Sequence, residues 1–174
     1  MIVEMEERHI PDVGGPEGEF AVIGRIVPRF ENDVWTYEER LNPVTHTKRY
    51  PGEAAQYARA IDDPDRTAYL YYDGSRCVGR IRLRVNWNRY AFIEDIAVSE
   101  PERGRGIGTA LMSRAAEWAK ERGLGGIMLE TQDNNVLACR FYRRQGMTIG
   151  AVDTMLYANT PYAGESALFW YRKF

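Results

Sequence analysis

The chain has little of what several functional classes require. Its 174 residues hold two cysteines and two histidines. Cys77 and Cys139 lie far apart without a CxxC spacing, so two reduced thiols in or near the core are expected. His9 and His46 do not cluster, which leaves no ligand set for zinc and no histidine-based triad; no metal is expected. Basic residues are not in excess, with 23 Lys and Arg against 25 Asp and Glu and a net charge of −2. That argues against a nucleic-acid partner held by phosphate contacts. No apolar run approaches the ~18 residues of a membrane span, and the N-terminus has no basic-then-apolar signal. A cytoplasmic protein with neither nucleic acid nor membrane as partner is expected. Internal repeats and low-complexity segments are also missing.

What is present suits one core. Apolar residues make up 44% of the chain, with 11 Tyr and 4 Trp, and the length fits one domain over residues 1–174. The first third is turn-rich, with Pro11 and Gly14-Gly15-Pro16 breaking an extended stretch near Ile2–Arg8. Phe20–Phe30 and Val34–Leu41 read as strands joined through Glu31-Asn32-Asp33. Pro51 followed by Glu53–Ile61 suggests a short helix closed by Asp62-Asp63-Pro64. Thr67–Tyr72, Cys77–Val85 and Tyr90–Val98 read as an antiparallel meander. In its middle strand the apolar residues alternate, which turns Arg80, Arg82 and Arg84 to a solvated or substrate-facing side.

A helix is predicted over Ile107–Arg122. Ile107, Leu111, Ala115, Trp118 and Ala119 share one face, Arg114, Glu117 and Glu121 fall away from it, and Gly123 caps the end. Ile127–Thr131 is a compact apolar strand, Asn134 or Asn135 caps a second helix ending before Gly146, and strands follow over Thr148–Tyr157 and Leu168–Arg172. Strands 90–98 and 126–131, joined through a helix, should be parallel neighbours with a right-handed crossover. The fold class is α/β, a mixed sheet.

The segment Arg103-Gly104-Arg105-Gly106-Ile107-Gly108 carries the chemistry. Its glycines stand between a strand and a helix, where they let the backbone take positive φ and approach a ligand closely. Unpaired N–H groups at the helix start, with the positive end of its dipole, bind phosphate without side-chain charge. Arg103 and Arg105 could add charge-assisted donors. A Walker loop would need Gly-Lys-Ser/Thr where Gly108-Thr109-Ala110 stands, and a GxGxxG fingerprint is interrupted by Thr109.

Arg103-x-x-Gly106-x-Gly108 instead resembles the pyrophosphate loop of the GNAT superfamily of N-acetyltransferases. The strand Glu94-Asp95-Ile96-Ala97-Val98 before it and Ala110-Leu111-Met112 after it resemble the family too. So does Asn135-x-x-Ala138-x-x-Phe141-Tyr142 with Gly146 four residues on, although Met147 stands where Phe usually follows that glycine. The resemblance implies acetyl-CoA as co-substrate and a mostly antiparallel sheet with a central splayed parallel pair flanked by helices. It implies CoA contacts at Ile96, Ala97, Val98, Arg103, Gly104, Arg105, Gly106, Ile107, Gly108, Thr109, Asn135, Ala138, Phe141 and Tyr142. Residues 90–146 would form the acetyl-CoA core and residues 1–65 a substrate-side part.

Three requirements follow for amine acetylation. A lysine-like ammonium, with a pKa near ~10.4, must lose a proton, and a carboxylate acting through water can accept it. By family position Glu94 ranks first and Glu130 second. Asp95 points away from Glu94 if the strand is regular. The oxyanion needs a donor, for which the Val98 N–H is the candidate, and the Tyr142 phenol is placed by motif to protonate the departing thiolate.

Ile23-Gly24-Arg25, Pro28-Arg29-Phe30-Glu31-Asn32, Trp35-Thr36, Asn86-Trp87-Asn88-Arg89-Tyr90, Leu129-Glu130-Thr131-Gln132-Asp133-Asn134-Asn135 and Phe169-Trp170-Tyr171 resemble the streptothricin acetyltransferases within this superfamily. These acetylate the β-lysine moiety of the antibiotic, so the resemblance implies a small cationic amine as substrate. Asp33, Trp35, Tyr37, Glu38, Glu94, Asp95, Glu130 and Asp153 could meet such a cation. Homodimers are common in the family, so a homodimer is possible. The residues themselves leave open a protein N-terminus, polyamine or aminoglycoside as acceptor, and a non-catalytic acetyl-CoA-binding module.

Overall fold

The computed structural model describes residues 1–49 and 54–174. The chain divides into two units, residues 1–19, 54–127 and 173–174 forming one, and Phe20–Arg49 with Met128–Arg172 the other.

In the first unit β1 (Ile2–Glu4), β4 (Arg66–Asp73), β5 (Arg76–Val85) and β6 (Ala91–Val98) pair antiparallel in the order β1-β4-β5-β6. The last three are the meander that the alternating pattern predicts. β1 is short because the chain turns into a 3-10 helix at Glu7–Asp12 that contains Pro11. The helix α1 spans Ala54–Ala58; its expected start at Pro51 and Glu53 lies outside the described residues. α2 (Ile107–Glu121) buries Ile107, Leu111, Ala115, Trp118 and Ala119, the predicted face, together with Met112 and Ala116. Burying each large apolar side chain of this kind stabilises by roughly 1.5–3 kcal/mol. On its outer face Arg114 pairs with Glu117 and Glu121 and donates to the Tyr69 hydroxyl. Gly123 ends the helix at φ 63°. α2 sits hard against β5 at Gly79, where a Cβ would come within 2.8 Å of Ile107 Cγ2 and 3.2 Å of Leu111 Cδ1. Glycine there seats the first turn of α2.

In the second unit β2 (Phe20–Glu31) and β3 (Val34–Lys48) form a long hairpin. Its turn is Asn32-Asp33, both at positive φ (51° and 60°), the two-residue geometry that suits the twist of a hairpin. β3 runs past the expected Leu41 because pairing resumes beyond the irregularity between Val22 and Gly24 and continues to Phe20↔Lys48. β7 (Gly126–Gln132) leads into α3 (Val136–Arg144), capped by the Asn135 side chain, which accepts from the Ala138 N–H. β8 (Thr148–Asp153) pairs antiparallel with β9 (Ala167–Lys173). β8 stops short of the expected Tyr157 because Asp153 Oδ1 accepts the N–H groups of Met155 and Leu156 and turns the chain. Both cysteines are buried free thiols. Burial pushes Cys77 up to about 11 and Cys139 up to about 12.

Candidate active site

The glycine loop has the geometry its sequence requires. Gly104 and Gly106 stand at φ 80° and 84°, and a Cβ at either would meet nothing within 4 Å. Open space beside a left-handed backbone is what a closely approaching ligand needs. Gly106 is also the N-cap of α2, and the first i→i−4 bond runs from Ala110 N to Gly106 O. The N–H groups of Ile107 and Gly108 precede that bond at the positive end of the helix dipole. A pyrophosphate therefore fits this cradle. Both arginines already have partners within the protein. Arg103 donates to the carbonyls of Val98 and Glu19, so its guanidinium braces the loop from behind. Arg105 pairs with buried Glu102 and reaches Asp73 at 3.6 Å, and Glu102 also pairs with Arg76. The backbone N–H groups are the cradle's candidate donors.

Upstream, the structure overturns two expectations about β5 and β6. Arg80 and Arg82 do not face solvent, each being only 5% exposed, whereas the Arg84 side chain stays 31% exposed. And Glu94 and Asp95 do not point to opposite faces. Register runs Arg82↔Asp95 and then Leu83↔Ile93, leaving Glu94 as the extra residue of a bulge. A bulge sets two consecutive residues against one, and here both carboxylates meet the same arginine row. Asp95 accepts from Arg80 Nε at 2.8 Å and from the Tyr57 hydroxyl. Glu94 is ringed by Arg66, Arg82 and Arg84, each at 3.1 Å. Arg80 and Arg82 also lie over the Tyr57 ring, at 5.3 and 5.1 Å from its centre. Burial, with the Asp95 charge second, pushes the Tyr57 phenol well up. This cluster fixes the strand that enters the glycine loop. Its carboxylates are already engaged by guanidinium groups.

Glu130 on β7 has other surroundings. It is mostly buried, and its Oε1 accepts from the Tyr157 hydroxyl. Burial raises its proton affinity above the usual carboxylate range, the Tyr157 hydrogen bond opposes that rise, and the charge of Glu165 adds to it. Such a group takes up a proton more readily than an ordinary surface carboxylate. Tyr142, on α3, is 8% exposed and packs against Phe141 and Trp170, with ring centres 5.5 and 6.2 Å away. Arg140 holds α3 to β3 through Glu39, at 2.6 to 3.1 Å. Asn135, expected as a CoA contact, spends its side-chain oxygen on the cap of α3 and keeps its amide nitrogen as a donor.

The expected substrate contacts divide. Tyr37 meets Trp170 edge-on, with ring centres 6.0 Å apart, and so joins the aromatic group that contains Tyr142. Asp33 forms the hairpin turn, and Trp35 stacks on Phe30 at 5.0 Å beside it. Glu38 pairs on the surface with Arg29 and Arg40, which lower its proton affinity, the Arg40 hydrogen bond most. Asp153 caps a turn. Sequence reasoning missed the segment between β8 and β9. There Tyr157 reaches Glu130, Tyr162 packs on Tyr157 at 6.5 Å, and Lys48 lies 4.6 Å over the Tyr162 ring while pairing with Glu165. Buried Asp133 is joined by Arg25 at 3.3 Å, and Arg25 also donates to Gly164 O. The aromatic and acidic content of residues 157–165 was the available signal. Among the described residues no group of three or more His, Cys, Asp or Glu could hold a metal ion, and no helix is long and apolar enough to cross a membrane.

A strand, a glycine cradle and a helix entry in this order define a class of phosphate-binding site, and the comparisons narrow it. The Acetyltransferase (GNAT) family model matches residues 29–147, and the chain belongs to that family. Its fold is accordingly the GNAT fold, a mixed sheet of antiparallel strands with one parallel pair, flanked by helices. The chain is an acetyl-CoA-dependent N-acetyltransferase. It is 48% identical to streptothricin acetyltransferase A of Bacillus subtilis (strain 168) over 174 residues, all of both chains. A Bacillus anthracis chain described as a candidate streptothricin acetyltransferase, solved in complex with acetyl coenzyme A, superposes with a TM-score of 0.91. It is 35% identical over all of this chain and 99% of its own. The crystal structure of nourseothricin acetyltransferase gives a TM-score of 0.84 at 31% identity, over 99% and 97% of the two chains.

Proposed function

We propose that this enzyme acetylates an amine of streptothricin on its β-lysine moiety, by direct attack on acetyl-CoA in a ternary complex, and so inactivates the antibiotic. The full-length 48% identity to streptothricin acetyltransferase A carries this reading. The name of the second structural relative, nourseothricin acetyltransferase, supports it.

When bound, acetyl-CoA supplies the activated acetyl group; the chain supplies placement and proton handling. The N–H groups at Gly104–Gly108 hold the pyrophosphate, and the backbone of Ile96–Val98 lines the pantetheine arm. The Val98 N–H is aimed at charge developing on the carbonyl oxygen. Glu130 accepts the proton that the substrate ammonium must lose. It is preferred over Glu94 because three arginines already hold the Glu94 oxygens, whereas Glu130 is buried beside a phenol. Tyr142 returns a proton to the departing thiolate.

Streptothricin-dependent release of CoA tests the reading, with mass spectrometry of the product to place the acetyl group. Turnover with acetylation on β-lysine is expected. Release with N-terminal peptides or polyamines but not with streptothricin would assign a different acceptor. Acetyl-CoA binding without release by any amine would leave only a binding module.

A further inference from the structure

We propose that Tyr157 is a positioning residue for Glu130, with Gln132 aiming its hydroxyl proton at the carboxylate, so that this pair sets the pH at which Glu130 can accept a proton. The proposal rests on Glu130 being the proton acceptor of the reaction.

Gln132 and Glu130 stand two apart on β7 and so share one face of the strand. Gln132 Nε2 donates to the Tyr157 oxygen at 3.0 Å, and the same hydroxyl donates to Glu130 Oε1. A phenol has one proton. With an amide N–H directed at its oxygen, that proton is turned away from Gln132 and towards the carboxylate. The donor is thus fixed in direction, and a donor aimed at a carboxylate favours the charged form.

The arm that carries Tyr157 is tied at several points. Asp153 caps its first turn, and the Tyr157 carbonyl accepts from the Thr160 N–H at 3.0 Å and from its hydroxyl at 2.9 Å. Tyr162 packs on the Tyr157 ring, Lys48 from β3 covers Tyr162 and pairs with Glu165, and Arg25 from β2 holds Gly164 O. A hydroxyl presented this way needs no reordering to meet its partner. Among the described residues, two further carboxylates lie near Glu130 in the fold or in the chain. Glu165 opposes its ionisation and is itself paired with Lys48. Asp133, just past β7, is paired with Arg25. Replacing Tyr157 by phenylalanine leaves all of these in place and removes one donor.

The test is the pH profile of kcat/KM for streptothricin, measured by CoA release, for the natural enzyme, Tyr157→Phe, Gln132→Leu and Glu130→Gln. The substrate ammonium titrates identically throughout, so the differences between enzymes are read. Tyr157→Phe is expected to move the acidic limb to higher pH by about one unit, the scale of one hydrogen bond to a charged group. The alkaline plateau should change less than about threefold, the smaller share of such an interaction. Gln132→Leu should move the limb the same way by less, and Glu130→Gln should remove that limb. Loss of the limb in Glu130→Gln with no shift in Tyr157→Phe, even if the rate falls uniformly, overturns the positioning role and leaves the acceptor assignment standing. Retention of the limb in Glu130→Gln overturns both.

Discussion

Glu94 and Glu130 each stand within a strand, and by family position they were the first and second candidates for one task. The structure separates them by environment. Glu94 lies on a bulge among Arg66, Arg82 and Arg84. Glu130 is largely withdrawn from solvent, with a phenol as donor and another carboxylate, Glu165, acting on it. Three guanidinium groups at 3.1 Å hold Glu94 in place; burial, with the Glu165 charge adding to it, makes Glu130 readier to take a proton. The first arrangement builds a strand and the second can do chemistry. Two substitutions and three measurements probe that contrast.

The largest effect is expected on folding. Glu94→Gln removes the common partner of three arginines, one of which, Arg82, has only 6% of its side chain exposed. Removing one member of a buried pair costs about 3–5 kcal/mol, because the other charge is left uncompensated; the partial exposure of Arg66 and Arg84 favours the lower figure. Chemical denaturation should show a loss of about 3 kcal/mol, while the folded enzyme keeps the pH profile of the natural one. A stable Glu94→Gln enzyme that has lost its acidic limb would reverse the two assignments.

Glu130→Gln should do the opposite. General base assistance contributes on the order of 10²–10⁴-fold, so kcat/KM is expected to fall at least about 100-fold while acetyl-CoA still binds, as calorimetry would show. Equal activity would return the proton-accepting role to another group or to water.

This contrast marks where the sequence could be read and where it could not. The glycine cradle and the face of α2 were legible because both are local: positive φ at Gly104 and Gly106 and the spacing from Ile107 to Ala119 depend on a few neighbouring residues. So were the Asn32-Asp33 turn and the cap at Asn135. The bulge at Glu94 was not, because register is fixed by pairing with β5 and a one-residue change redirects the side chains. Alternation gave the arginine row of β5 a solvated or substrate-facing side, whereas Glu94, Asp95 and Tyr57, from elsewhere in the chain, pack on Arg80 and Arg82 and help to bury them. Tyr157 was missed for the same kind of reason. Its bond to Glu130 spans 27 residues from a turn-rich segment without periodicity.

The smallest effect concerns stability and its dependence on pH, and it tests Glu130 without any substrate. Burial raises the folded-state proton affinity of Glu130 above that of the unfolded chain. A carboxyl raised in this way contributes stability that is fully present below its unfolded pKa and is lost as pH rises through its folded pKa. At neutral and alkaline pH the ionised side chain is therefore a cost to folding, which Glu130→Gln removes. Glutamine keeps a carbonyl oxygen that can accept from Tyr157. The variant should melt about 1–3 °C above the natural enzyme at pH 8, the scale of a sub-kcal/mol to 1 kcal/mol change in a domain of this size. The gain should disappear at the lowest pH where both remain folded. A Glu130→Gln enzyme that melts lower at pH 8 than the natural one would show the ionised Glu130 to be a stabilising, structural carboxylate. A less active but more stable enzyme would mark Glu130 as a site where folding free energy is given up for reactivity.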